Sequence, residues 1–157
     1  MIVFIPQGIY STDHVSPGRF NAHGRVDFEE QGNILWATAV GPFNVELVRA
    51  LEKVVTTLFP VMASKGIWAG ICRFEQSALC SPEVLASYTE MMKRLAALNV
   101  APTGNAFVMT PQVEGAYLMD LLYARCHREA GIRYECFHTV ELAGHWAGSV
   151  LDPSVTT

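Results

Sequence analysis

Apolar and polar positions alternate from Gly24 onward: GRVDFEEQ sets Val26 and Phe28 against Asp27 and Glu29, and the apolar run Ile34–Val40 follows a Gly32-Asn33 turn. Period-two alternation broken by Gly-Asn predicts a β-hairpin. The step GPFN then ends the second strand, with Asn44 placed to cap a helix and Phe43 to staple onto Val48. Leu47, Val48, Leu51, Val54, Val55 and Leu58 recur at helical spacing, and Pro60 falls just beyond the predicted helix end.

The period changes again in IWAGICRF, residues 67–74, a nearly continuous apolar run of the kind required by a strand covered on both faces. Ser81 as N-cap and Pro82 at the first helical position open a second helix, with Val84, Leu85, Tyr88, Met91, Met92, Leu95 and Leu98 on one face. The cycle repeats with a strand over 106–109 and a helix start at Thr110-Pro111. Val113, Tyr117, Leu118, Leu121 and Leu122 form the predicted buried side of that helix, and Gly131 its C′ residue. A strand over Arg133–Phe137, a Thr139 cap and a last helix bearing Val140, Ala143, Trp146 and Val150 complete the pattern. Gly144 and Gly148 weaken that helix or admit a close backbone.

A hairpin followed by alternating helix and strand is the order of an α/β layer fold with right-handed crossovers. Residues 1–23 read as an irregular N-terminal extension with one edge strand over 2–5. Residues 24–152 read as a single domain, and the tail from 153 onward as frayed.

Composition sharpens this picture. A chain of 157 residues suits one domain, and 50% hydrophobic against 17% charged residues leaves apolar surface for a subunit interface or a greasy pocket. The net charge of −4, with no basic stripe, argues against a nucleic-acid partner. Cys72, Cys80, Cys126 and Cys136 are too sparse for a disulfide scaffold and lack zinc-site spacing, so reduced thiols in a cytoplasmic protein are expected. The apolar start lacks the basic segment and cleavage site of a secretory signal. No apolar run reaches the ~18 residues that span a bilayer. Peripheral membrane contact stays open.

The hairpin entered by His23-Gly24, the GPFN step, the strand-loop-helix CRFEQSALCSPEVL and the closing FHTVELAGHW together resemble the STAS-like, SpoIIAA-like proteins related to anti-sigma-factor antagonists. The likeness runs over roughly residues 23–151. It implies a four- to five-stranded mixed sheet with an N-terminal hairpin and helices mainly on one side, and a role in binding rather than chemistry. Antagonists of this kind switch by phosphorylation of a serine in an Asp-Ser-Ser-Gly segment at the start of the second helix. Aligned without gaps from the preceding strand, Ser81 stands at the aspartate and Pro82 at the acceptor serine. A shift of one residue makes Ser81 the acceptor, still without the aspartate and glycine. The resemblance therefore implies a binding or regulatory module without the usual phospho-acceptor.

Candidate chemistry concentrates in a few places. Cys80, just before a helix N-terminus, would feel the macrodipole and ionise more easily, although no histidine is near it in sequence; otherwise it is a packed thiol. Ser81 is a helix cap, and with Cys80 and Glu83 it forms a crest where a ligand or protein partner could dock. Met91 and Met92 differ in direction by about 100° on a helix, so one of them is expected to meet a partner subunit or ligand. Cys136, His138 and His145 have conceivable metal-ligand chemistry, yet structural roles are expected for them, with no metal and no cofactor. Arg125, His127, Arg128 and Arg133 form either a basic patch for an acidic partner or lipid headgroup, or the solvated cations of a last helical turn. Trp36, Trp68, Trp146, Phe43 and Tyr88 line an apolar cavity or make ordinary core.

The first expectation is thus a non-catalytic, cytoplasmic STAS-like module, a homodimer, binding a protein partner or a small apolar ligand. A lipid-binding or membrane-surface carrier is the alternative, and a Cys80-dependent enzyme a third.

Overall fold

The computed structural model describes residues 9–15, 18 and 20–154. Among these residues six strands lie in chain order in one sheet: β1 (Ile9–Ser11), β2 (Arg25–Gln31), β3 (Ile34–Val40), β4 (Ala69–Glu75), β5 (Gly104–Val108) and β6 (Arg133–Phe137). The first three pair antiparallel and β3 to β6 pair parallel. Four α-helices among the described residues complete the α/β architecture: α1 (Val45–Ser64), α2 (Pro82–Ala97), α3 (Ala116–Ala130) and α4 (Val140–Leu151). The sheet exceeds the expected four or five strands because β1 adds to the free edge of the hairpin, where Tyr10 is buried opposite Phe28. The strand expected at residues 2–5 lies outside the described residues.

Register decides which side chains share a face. Phe28, Ala37, Cys72, Phe107 and Cys136 stand abreast across β2 to β6. This row belongs to the larger core, which α1, α2 and α3 cover. The neighbouring row, Trp36, Ile71 and Ala106, points to the other face, where α4 packs over β4 and β5. Small residues let α4 lie close: Ala143 and Ala147 are fully buried on Ala69 and Ala106. A Cβ on Gly104 would meet the Trp146 ring at 2.9 Å. The expectation of a close backbone at Gly144 or Gly148 is corrected, since a Cβ at either would meet nothing within 4 Å.

Local chemistry sets most helix ends. The side chains of Asn44, Ser81 and Thr139 accept the backbone N–H groups of Leu47, Val84 and Leu142, satisfying donors that the helix leaves free. Gly131 closes α3 in the left-handed conformation, φ 74°. Pro60 does not end α1, which continues to Ser64. Its ring lies on the exposed side, while Phe59 packs edge-on to Trp68 at 4.7 Å and Met62 is wholly buried, so packing outweighs the lost backbone bond.

The third helix departs furthest from the pattern. It starts at Ala116 rather than Thr110, because the Glu114 backbone is held by the loop after β4: its N–H donates to Gln76 O and its carbonyl accepts from Ala78 N–H, both at 2.9 Å. Gly115, φ 77°, then makes the turn, where a Cβ would fall 2.3 Å from Leu79. The predicted buried side is also wrong for Tyr117, Leu118 and Leu121, which are exposed. Ala116, Met119, Tyr123, Cys126 and His127 are buried instead, because Tyr123 and His127 find hydrogen-bond partners inside. Leu98, expected on the buried face of α2, is exposed just past its last turn.

Candidate functional site

The carboxyl ends of the parallel strands, where open α/β sheets usually bind ligands, are closed here. Phe43 N–H donates to Leu79 O at 3.1 Å, and single parallel bridges join Phe43 to Cys80 and Ser77 to Glu114. The crest is therefore a bonded rim. Ser81 and Glu83 lie exposed on it, and the Ser81 hydroxyl is engaged in capping α2. Cys80 is half-buried, its sulfur 3.6 Å from the Tyr123 hydroxyl. Burial pushes its pKa up, and this outweighs the opposing hydrogen bond from Tyr123. The macrodipole expectation for Cys80 is thus reversed by desolvation.

Beneath the crest, a cavity of about 100 Å³ lies between the sheet and helices α1 and α2. Its lining runs the length of β4, from Trp68 and Pro102 at one end to Phe74, Phe43 and Cys80 at the other. Apolar side chains make nearly all of the wall. Cys72 on β4 and Tyr88 on α2 both face this space. Loss of solvation pushes the Cys72 thiol up to about 12 and holds Tyr88 well above an ordinary phenol.

The cavity wall has one polar patch. Asn105 on β5 points to the helix side beside Phe107, and its amide nitrogen donates to Nε2 of His127 at 3.0 Å. The Tyr88 hydroxyl lies 3.1 Å from the same nitrogen. Across the ring, Nδ1 is 2.7 Å from the carbonyl of Tyr123. A carbonyl only accepts, so the ring is assigned as the neutral Nδ1–H tautomer, with Nε2 accepting. Burial drives the His127 pKa down to about 4, against a smaller upward effect of the bond to Tyr123. Tyr134 stacks on the ring at 4.8 Å and donates to Asp120 at 2.9 Å. Asn105 lines the cavity, and no donor among the described residues reaches its carboxamide oxygen.

The other candidate residues scatter. Met91 and Met92 are 1% and 2% exposed, so neither meets a partner surface: α2 is flanked by α1 and α3, and both flanks bury a methionine. Both line the cavity. The basic patch is dismantled. His127 is fully buried and neutral, and Arg133 sits on the opposite sheet face with its guanidinium 6.0 Å from the Trp146 ring centre. Arg125 and Arg128 are exposed on α3. Cys136 packs into the larger core while His138 and His145 are exposed, and among the described residues no group of three or more His, Cys, Asp or Glu side chains is placed to hold a metal. Trp68, Phe43 and Tyr88 line the cavity, whereas Trp36 and Trp146 pack on the α4 side.

Sequence reasoning overlooked Asn105, Gly70 and Tyr123. The signal was present in GNAFV, where a polar side chain alternates inward with Phe107. Comparison with family models, with curated proteins and with solved structures gives no match. No described helix is long and apolar enough to cross a membrane.

Proposed function

We propose that this chain is a non-catalytic binding module whose ligand is a small apolar molecule, held between the sheet and helices α1 and α2, with its one polar group directed at Asn105. The cavity of about 100 Å³ carries this reading. Apolar cavities near this scale, ~150 Å³, stay dry and take up xenon or benzene-sized guests. The free acceptor of Asn105, locked in place by His127, supports a ligand with one hydrogen-bond donor. Raised thiol pKa values at Cys72 and Cys80 support binding over nucleophilic chemistry. The STAS-like resemblance supports a regulatory setting in the cytoplasm.

Thermal unfolding in the presence of toluene and of phenol, with native mass spectrometry of gently purified protein, tests this. A raised midpoint is expected for both, larger for phenol, and a retained small molecule in the native spectrum. If neither compound moves the midpoint and no extra mass is retained, the cavity is only a packing defect.

A further inference from the structure

We infer that the ligand reaches the cavity from the end of the sheet opposite the crest, through a surface pocket that the Trp68 indole closes off; this rests on the binding reading above. A cavity between sheet and helices admits a guest only where its wall can part. At the crest the wall is bonded backbone: besides the bond from Phe43 N–H to Leu79 O, the Tyr123 hydroxyl donates to Ala78 O at 2.9 Å. The sheet forms a floor of continuous strand pairing from β2 to β5. Parting α1 from α2 would wet Leu51, Val55, Met91 and Met92 together, all of them buried.

The remaining end is built differently. A surface pocket of about 510 Å³ opens there among the C-terminal ends of α1, α2 and α3, marked by Gly66, Asn99 and Gly131. Trp68 and Pro102 line both this pocket and the cavity, so their side chains form the partition between the two. The Trp68 indole is buried, with Nε1–H donating to Val100 O at 3.2 Å and the ring edge-on to Phe59. Its backbone is fixed separately, since the Trp68 carbonyl accepts from Thr103 N–H at 2.8 Å. The side chain can therefore turn while the strand beside it stays paired. On the outer side the small residues Ala63, Ala96 and Ala101 leave the space into which the ring turns. That movement breaks a neutral hydrogen bond and a ring contact of one side chain, whereas the other routes part backbone bonds or a packed helix layer.

Fluorine NMR of fluorobenzene with the full chain tests this, because it reads affinity and exchange rate separately. Wild type is expected to exchange bound for free fluorobenzene slowly, since entry waits on the indole. Ala96→Phe fills the outer pocket and lies outside the cavity wall. It should slow exchange by about tenfold or more while the dissociation constant stays within about twofold. Trp68→Phe, which removes the N–H donor and trims the partition, should speed exchange by about tenfold with a smaller change in affinity. Leu79→Ala, at the crest rim, should leave the rate unchanged. Bound fluorobenzene whose exchange ignores Ala96→Phe, or quickens in Leu79→Ala, overturns the route and leaves the binding reading standing. No bound fluorobenzene in wild type overturns the binding reading and the route with it.

Discussion

Gly70 stands opposite Asn105 in the β4–β5 register, and a Cβ at Gly70 would lie 2.6 Å from the Asn105 carboxamide oxygen. The missing side chain is what lets the amide lie across the neighbouring strand while its nitrogen reaches His127. Asn105 is short and anchored, so it cannot yield without losing that bond. Gly70→Ala is expected to destabilise the fold by about 1–3 kcal/mol, against the usual gain of replacing glycine in a strand. Urea unfolding measures it; a lower midpoint at unchanged slope is the expected result, and equal or greater stability would show that the amide is free to move.

Filling the cavity should separate its two consequences. Cys72 faces the open space from the middle of β4, and leucine there adds apolar volume where none is present. Cys72→Leu is expected to stabilise by roughly 0.5–2 kcal/mol and to abolish the toluene and phenol shifts. If the space were already closed, the same change would overpack the core and cost about 1–3 kcal/mol. Denaturant titration distinguishes the signs.

The layered fold was legible because it depends on periodicity and caps. Val26 and Phe28, the Gly32-Asn33 turn, Asn44, Ser81, Thr139 and Gly131 all act locally, and the structure uses them where the pattern placed them. What failed is decided by tertiary partners. Two apolar stripes compete on α3, and the one containing Tyr123 and His127 goes inside because Ala78 O, Asn105 and Tyr88 receive it there. Nothing between residues 116 and 130 announces that choice. Likewise Met91 and Met92 are both buried only because helices lie on either side of α2. The polar network behind the cavity wall joins Asn105, Tyr88, His127 and Tyr134 from four elements, so no short motif encodes it.

Thiol reactivity offers a direct check on the non-catalytic reading. Burial raises the pKa of all four cysteines, to about 12 for Cys72 and about 11 for Cys136, and upward for Cys80 and Cys126. Native protein at pH 7 should therefore react with iodoacetamide more slowly than free cysteine at every site, and unfolding in guanidinium should release all four thiols. Peptide mapping after a short pulse reads each site. Selective fast labelling of Cys80 would return it to candidacy as a nucleophile.

His127 ties the polar wall to pH. Its folded pKa of about 4 lies below the ~6.5 of an unfolded histidine, because burial strips the ring of solvent and outweighs the bond to the Tyr123 carbonyl. The unfolded chain therefore binds a proton more readily than the fold between those two values. Stability from this group is complete above pH 6.5 and is lost as the pH falls toward 4, by on the order of 3 kcal/mol. Neither neighbour on the rings packed against it, Tyr134 nor Phe107, supplies a charge to offset the cation. Urea midpoints between pH 7 and pH 4 should fall steeply for wild type and less steeply for His127→Gln, which carries no titrating ring. The variant should also be less stable at pH 7, since glutamine can offer Asn105 and Tyr88 an acceptor but not at the same time the donor that the ring gives the Tyr123 carbonyl. Parallel pH profiles for the two proteins would show that the ring is protonated within the fold, and that the neutral tautomer does not hold the wall.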